Sequence, residues 1–162
     1  MIAGILKEIK TEENRVSMTP AGVEVMRDHG HTVLVEKGAG AGSGLDDKAY
    51  AAAGAEIVKT PKEIYDRSEL VMHVKEPMPS EYEWIRKDQI VFTYFHLAAD
   101  EILTKAMVKT QSIDIAYETI QRADGSLPLL IPMSEVAGRM AIQEGAKYLE
   151  MKYGGEGVLL GG

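Results

Sequence analysis

Three side chains that can carry positive charge, Arg15, Lys75 and His96, each lie beyond a segment that is typical of a β-strand. In a protein of alternating strands and helices, the carboxyl ends of the strands share one edge of the sheet, so distant residues can converge there on one small ligand. Two fixed cations beside an imidazole that exchanges protons near neutral pH suit a small carboxylate that undergoes proton transfer. The spacing therefore predicts a site for such a substrate.

Each of these residues also has a simpler interpretation. Arg15 follows two glutamates in a polar loop, so it could be solvated or paired with one of them. Lys75 precedes Glu-Pro-Met-Pro, whose prolines restrict the backbone and hold the loop's direction, but its side chain could still be solvated. His96 could be an ordinary core or helix-cap residue. Their joint placement favours the site over the three separate alternatives.

The elements that must position these residues are visible as short apolar runs between helix-like segments. Six strands are predicted, near Ile2 to Leu6, Thr32 to Val35, Glu56 to Val58, Leu70 to Val74, Ile90 to Tyr94 and Ser112 to Ala116. This alternation predicts a Rossmann-like α/β fold, with a mainly parallel sheet and helices on both faces.

Two helix starts carry recognisable capping signals. Thr19-Pro20 predicts an N-cap followed by proline at the first helical position, with the helix running to His29 and stopping at Gly30. Thr60-Pro61-Lys62-Glu63 has the spacing of a capping box, in which Thr caps the first turn and the Glu carboxylate reaches back to the Thr amide. A second helix is therefore expected to start there.

The pattern changes around Arg122 to Pro132, where a turn and an apolar segment with two prolines predict a linker. Beyond it, Ser134 is expected to cap a long helix that reaches about Lys152 and ends at Gly154-Gly155. Small residues stand four apart on one side of that helix, at Ala137, Ala141 and Gly145. They would permit close approach of another backbone, either from this chain's own sheet or from another subunit.

Composition limits the classes of partner. A chain of 162 residues can form one compact domain, and its net charge of −7 argues against a broad nucleic-acid surface. It has no cysteine, and its four histidines lack metal-ligand spacing, so no disulfide or metal site is expected. No apolar run approaches the roughly 18 residues that cross a bilayer, and the N-terminus lacks a signal sequence. We therefore expect a cytoplasmic protein without membrane contact.

A glycine-rich stretch, Gly38 to Gly44, follows a strand-like run and precedes a helix that Asp46 or Asp47 could cap. Its glycines occupy every second position, which does not meet the G-x-G-x-x-G order of dinucleotide-binding turns. Two acidic residues at the helix start would also compete with a phosphate for the helix amides. We interpret it as a flexible turn.

A second glycine-rich segment, 157–162, ends the chain after an apolar run. Such an end is more easily explained if the chain is the first part of a longer protein.

Several motifs together resemble the alanine dehydrogenase and pyridine nucleotide transhydrogenase family. The motifs are Gly4-Ile-Leu-Lys-Glu8, Asn14-Arg-Val16, Thr19-Pro20, Val74-Lys-Glu-Pro77, Thr93-Tyr-Phe-His-Leu-Ala-Ala-Asp100, Ala116-Tyr-Glu-Thr119, Asp124-Gly-Ser-Leu-Pro128 and Met133-Ser-Glu-Val-Ala-Gly-Arg-Met140. The resemblance covers essentially the whole chain. Leu6 stands where the family usually has proline, and Lys75 favours the dehydrogenase branch, since the transhydrogenase branch normally lacks this lysine.

The resemblance implies an NAD-dependent oxidoreductase that interconverts L-alanine with pyruvate and ammonia, commonly as a homohexamer. It implies that Arg15 and Lys75 bind the substrate, that His96 is the acid/base residue, and that Ser134 contacts NAD. Residues 1–132 would be the N-terminal part of the substrate domain, and residues 133–162 the linking helix and start of the NAD domain. A catalytic aspartate and the nucleotide turn would follow later, so this chain alone is expected to be inactive. The alternatives are a non-catalytic carboxylate-binding or assembly module and a transhydrogenase subunit.

Overall fold

The computed structural model describes residues 1–161, and its central feature is one sheet of six parallel strands. The strands are β1 (Ile2–Ile5), β2 (Thr32–Glu36), β3 (Glu56–Val58), β4 (Leu70–Met72), β5 (Ile90–Thr93) and β6 (Ile113–Ala116). Their order is β3-β2-β1-β4-β5-β6, which is the doubly wound order. The predicted Rossmann-like α/β fold is therefore confirmed, and each predicted strand is present.

Four helices cover the two faces of this sheet: α1 (Pro20–Asp28), α2 (Asp47–Ala52), α3 (Pro61–Arg67) and α4 (Glu101–Thr110). A fifth helix, α5 (Ile131–Leu149), follows later in the chain. Side chains along each strand alternate between two apolar clusters, because successive residues of a strand point to opposite faces. One cluster joins Leu34 and Val71 to α3 and α4, and the other joins Val33 and Val35 to α1 and α2.

The residue that departs from the family motif, Leu6, directly follows β1. Leu6 is buried in the cluster beside α3 and α4, and its amide donates to Met72 O at 3.4 Å. A proline has no amide hydrogen to donate there. Gly4, two residues earlier, lies so close to α3 that a Cβ would come within 2.4 Å of Ile64 Cγ2, so this strand and helix pack in unusually close contact.

The predicted capping signals match the structure at α1 and α3. Thr19 is the N-cap of α1 and accepts a hydrogen bond from Gly22 N, and Gly30 beyond the helix has a φ of +78°. Thr60 is the N-cap of α3 and accepts from Glu63 N at 3.3 Å. The Glu63 carboxylate accepts a hydrogen bond from the Thr60 hydroxyl, at 3.2 Å. The expected return bond to the amide is thus replaced by one to the hydroxyl.

The chain divides into two compact units, Met1–Tyr117 and Glu118–Gly162. In the second unit the prediction for the long helix was wrong at both ends. Helix α5 starts at Ile131, before Ser134, because a proline fits the first turn of a helix, where no intrahelical partner for its missing amide is needed. The helix ends at Leu149 and is followed by a short 3-10 turn, Met151–Tyr153, which Gly154 closes with a φ of +87°. No helix within residues 1–161 has the length and hydropathy needed to cross a bilayer.

Candidate functional site

The carboxyl edge of the sheet brings the loops after β1, β4 and β5 together. Strands β1 and β4 are neighbours with Ile5 paired to Met72, and β4 and β5 are neighbours with Met72 paired to Phe92. Lys75 and His96 each follow their strand by three residues. The crevice at this point, where the strand order reverses between β1 and β4, is the usual ligand site of doubly wound sheets.

Arg15, in the loop between β1 and α1, forms a forked ion pair with Glu13. Its Nε lies 2.8 Å from Glu13 Oε1 and its Nη2 lies 2.6 Å from Glu13 Oε2. The Glu13 side chain is only 9% exposed, whereas that of Arg15 is 45% exposed. The hydrogen bond from Arg15 lowers the pKa of Glu13, with a smaller Coulombic contribution from Lys75. The Glu13 carboxylate is thus influenced by both cations of the predicted site.

The backbone of Lys75 is held at both of its polar groups. Its amide donates to Glu8 Oε2 at 3.2 Å, and its carbonyl accepts from the Thr93 hydroxyl at 2.8 Å. The preceding amide, of Val74, donates to Glu8 Oε1 at 2.6 Å. The next side chain, Glu76, forms an ion pair with Lys10 across the same edge. These contacts fix the start of the half-buried Lys75 side chain relative to β1 and β5.

His96 adopts a left-handed backbone conformation, with a φ of +53° and a ψ of +36°. Such a conformation is uncommon for a residue with a Cβ and is found disproportionately at functional sites. The imidazole is exposed, and its ring lies nearly parallel to that of Tyr94, with 6.4 Å between centroids. The backbone at His96 therefore directs an exposed imidazole outward beside an aromatic ring.

Glu13 is the main electrostatic partner of Arg15. The pKa of Arg15 is raised chiefly by its hydrogen bonds to Glu13, with smaller Coulombic contributions from Tyr94 and Glu8. Arg15 and Lys75 both act on the carboxylate of Glu13, and Tyr94 lies beside His96. The roles of the three predicted residues stay predictions.

Ser134 lies in the second unit, within the first turn of α5. Its amide donates to Leu130 O at 3.0 Å, and the residue is exposed. It therefore presents a hydroxyl near a helix N-terminus, which is suited to hydrogen bonding with a polar ligand. Its predicted contact with a cofactor stays a prediction.

The glycine-rich loop is committed to interactions within the chain. Asp46 caps α2 by accepting from Ala49 N at 2.8 Å, and the Asp47 carboxylate accepts from Gly38 N at 2.7 Å. These two carboxylates accept hydrogen bonds from backbone amides that a bound phosphate would need as donors. The loop also contacts the loop that carries Arg15, since the Ser43 hydroxyl donates to Asn14 O at 2.7 Å. This stretch therefore supports the predicted site and lacks the features of a dinucleotide cradle.

The sequence alone did not single out the acidic groups around the cations. Glu13 lies two residues from Arg15, and Glu8 is the last residue of the first family motif, so proximity and motif membership were the available signals. Behind Glu8 lies His73, which is buried between carboxylates and is 2% exposed. In the sequence His73 belongs only to a predicted strand, because nothing local indicates which distant groups will surround it.

Comparisons with known proteins agree with the fold and with the motifs. The family described as "Alanine dehydrogenase/PNT, N-terminal domain" matches residues 4–137. An alanine dehydrogenase from Methanococcus maripaludis is 58% identical over 162 residues, which is 100% of this chain and 43% of that protein. The chain thus spans less than half the length of this relative.

Solved structures give the same result. A structure titled L-alanine dehydrogenase has a TM-score of 0.91 and 48% identity, over 100% of this chain and 45% of that one. A transhydrogenase from Sinorhizobium meliloti has a TM-score of 0.71 and 27% identity, over 75% of this chain and 36% of that one. Motifs, strand order and these matches therefore establish that the chain belongs to the alanine dehydrogenase/PNT family and corresponds to its N-terminal domain.

Proposed function

We propose that this chain forms the N-terminal part of an NAD-dependent L-alanine dehydrogenase, which interconverts L-alanine with pyruvate and ammonia. The observation that carries the proposal is the Glu13 carboxylate, which is bonded to Arg15 and whose pKa is lowered by Arg15 and, to a smaller extent, by Lys75. A region in which Arg15 holds one carboxylate and Lys75 adds a smaller Coulombic stabilisation suits the carboxylate of a small keto acid. The relatives named as alanine dehydrogenases support this choice of substrate.

In this proposal Arg15 and Lys75 bind pyruvate or L-alanine. The planar guanidinium of Arg15 makes a forked pair with a carboxylate, as it does with Glu13, and the ammonium of Lys75 is a compact cation near the carbonyl or the amine-bearing carbon. His96 exchanges protons as the carbinolamine and imine form or break down. Its exposed imidazole beside Tyr94 leaves it accessible to a substrate at the sheet edge.

NAD, when bound, accepts or supplies the hydride, so the protein groups need only orient and protonate the substrate. Among the described residues, we assign to NAD only the hydroxyl of Ser134, because the amides of the glycine-rich loop are bonded to acidic side chains. We therefore propose that residues 1–132 belong to the substrate domain, and that 133–162 form the linking helix and the start of the NAD domain. The nucleotide turn and a catalytic aspartate would be supplied by the remaining length of the family.

We further propose a cytoplasmic homohexamer that contacts neither nucleic acid nor membrane. The small residues Ala137, Ala141 and Gly145 lie on α5, which has no fully buried residue. A Cβ added at Gly145 would meet no atom within 4 Å, so another backbone could approach there closely. This supports a subunit contact at these positions.

The test is NADH formation from NAD and L-alanine by the full-length protein, together with the reverse reaction from pyruvate and ammonia. We expect His96→Ala to lower turnover about 10²- to 10⁴-fold while NADH affinity changes much less, since general acid–base catalysis contributes that range. Unchanged turnover would remove His96 from the mechanism. Pyruvate binding without turnover would favour the non-catalytic module, and hydride exchange between two nucleotides without alanine oxidation would favour a transhydrogenase subunit.

A further inference from the structure

A cluster of buried titratable side chains lies directly behind Lys75, and the mechanism above does not use it. The cluster consists of Glu8, Tyr65, His73 and Glu81, which come from four separate segments of the chain. The side chains of Glu8, His73 and Glu81 are 4%, 2% and 3% exposed, and Tyr65 is 0% exposed. Buried ionisable groups are costly to keep unless they are paired or hydrogen-bonded, so their arrangement requires an explanation.

The two nitrogens of the His73 ring face different partners. Its Nδ1 lies 3.4 Å from Glu8 Oε1, whereas its Nε2 lies 3.0 Å from the Tyr65 hydroxyl and 3.5 Å from Glu81 Oε1. Tyr65 also donates to Glu81, at 3.2 Å. The ring therefore connects a near arm, formed by Glu8, with a far arm, formed by Tyr65 and Glu81.

The near arm leads to the backbone of Lys75. The Glu8 oxygen that faces His73 also accepts from Val74 N at 2.6 Å, and its other oxygen accepts from Lys75 N at 3.2 Å. The far arm ends elsewhere, since the second oxygen of Glu81 accepts from Met78 N at 2.8 Å. Only the near arm thus bears on where the Lys75 side chain begins.

We propose that Glu8 and His73 are positioning residues for Lys75, with His73 orienting the Glu8 carboxylate and Glu8 holding the two amides that set the direction of the chain at Lys75. This deepens the proposed function and rests on it, because Lys75 is assigned there to the substrate. A misplacement of about 1 Å at a substrate-orienting group costs on the order of 10²-fold in rate. The pair therefore influences catalysis without touching the substrate.

Two conservative variants of His73 separate the arms. In His73→Asn the amide nitrogen lies near the position of Nδ1, where it can donate to Glu8. In His73→Gln the longer side chain places its amide nearer the position of Nε2, so it meets Tyr65 and Glu81 and leaves Glu8 without a partner at the position of Nδ1. Tyr65→Phe is the matched control, because it removes a buried hydroxyl of the far arm and leaves the contacts of Glu8 in place.

Two readouts are measured on the full-length protein for all three variants. The first is hydrogen–deuterium exchange, by mass spectrometry, of a peptide that contains Val74 and Lys75. The second is kcat and KM for pyruvate at saturating NADH and ammonia. We expect His73→Gln to accelerate exchange in this peptide and to lower kcat/KM for pyruvate about 10- to 100-fold, while His73→Asn and Tyr65→Phe change it by less than about threefold.

The outcomes distinguish this proposal from the proposed function. Equal kinetics and equal exchange in His73→Gln and His73→Asn would overturn the positioning role, as would a Tyr65→Phe effect on pyruvate as large as that of His73→Gln. If His73→Gln does not fold, Glu8→Gln carries the same expectation, since it removes the charge and one of the two acceptors. Absence of alanine oxidation in the unsubstituted protein would refute the proposed function, whereas the exchange measurement would still report whether His73 anchors Lys75.

Discussion

Replacing Gly42 by alanine tests whether the glycine-rich loop supports the loop that carries Arg15. A Cβ at Gly42 would lie 2.8 Å from Asn14 Oδ1 and 3.0 Å from both Asn14 Cβ and Asn14 O. Ordinary contacts of a Cβ start at 3.4 Å, so Asn14 would have to move by about half an ångström. The side-chain oxygen could rotate away, but the backbone oxygen cannot, and Arg15 is the next residue.

Two effects follow from this movement. Overpacking of this kind costs about 1–3 kcal/mol of the free energy of unfolding, and weakening the hydrogen bond from Ser43 to Asn14 O adds about 1 kcal/mol. Displacing Arg15 is also expected to lower kcat/KM for pyruvate by about tenfold, because a substrate clamp is sensitive to sub-ångström shifts. Urea denaturation and steady-state kinetics of the full-length protein measure the two effects separately.

Gly44→Ala is the matched control within the same loop. Gly44 has a φ of +75°, and a Cβ there would meet no atom within 4 Å. The substitution should cost about 1–2 kcal/mol through backbone strain alone, without moving Asn14. We expect a loss of stability in both variants, smaller in Gly44→Ala because no hydrogen bond is weakened there, and a loss of pyruvate specificity only in Gly42→Ala. Equal changes in kcat/KM for pyruvate in the two variants would refute the reasoning. Weakened NADH binding with normal pyruvate kinetics in Gly42→Ala would instead indicate that the loop contributes to nucleotide binding.

Three further predictions concern single side chains. Arg15→Lys removes the forked pair of hydrogen bonds that the guanidinium makes with a carboxylate, and we expect it to raise KM for pyruvate about tenfold or more, since one charge-assisted hydrogen bond contributes about 1.5–3 kcal/mol. Arg67→Lys loses a similar forked pair, with Glu56 at the surface, and should leave KM unchanged. Tyr117→Phe removes a buried hydroxyl that has no hydrogen-bond partner within residues 1–161, so it should increase the free energy of unfolding by about 1 kcal/mol. Tyr50→Phe is the control: it loses a hydrogen bond to a backbone carbonyl and should decrease the free energy of unfolding by about the same amount. Thermal or urea unfolding measures both changes. Glu13→Gln should lower the free energy of unfolding at pH 7. A carboxyl with a depressed pKa stabilises the fold only while it is ionised, so the difference from the unsubstituted protein should vanish as the pH falls through the lowered pKa of Glu13.

Each of these predictions has a contrary result. A KM effect of Arg67→Lys equal to that of Arg15→Lys would show that the loss reflects general destabilisation. A destabilised Tyr117→Phe variant would mean that its hydroxyl is satisfied, for example by water. A stability difference for Glu13→Gln that persists unchanged in acid would mean that packing, and not the ion pair with Arg15, accounts for the effect.

Local signals predicted the elements of the fold well, because the chemistry that forms them acts over a few residues. Thr19 and Thr60 satisfy amides three residues ahead, and the apolar runs of the strands are recognisable one by one. The prediction failed at α5, where Pro132 was assigned to a linker and Ser134 to a cap. The sequence allows both arrangements, since proline is accepted in a linker and in the first turn of a helix alike.

By itself, the sequence determined the fold class, the strands, the family and the cations Arg15, Lys75 and His96 as candidates. The tertiary structure alone decided the order of the strands and the neighbours of those cations. Glu8 meets the amide of Lys75 across 67 residues of sequence, and neither residue carries a local mark of the other. Such pairs arise only when β1 and β4 lie side by side, because strand pairing depends on how the whole chain buries its apolar surface and not on the residues next to each site.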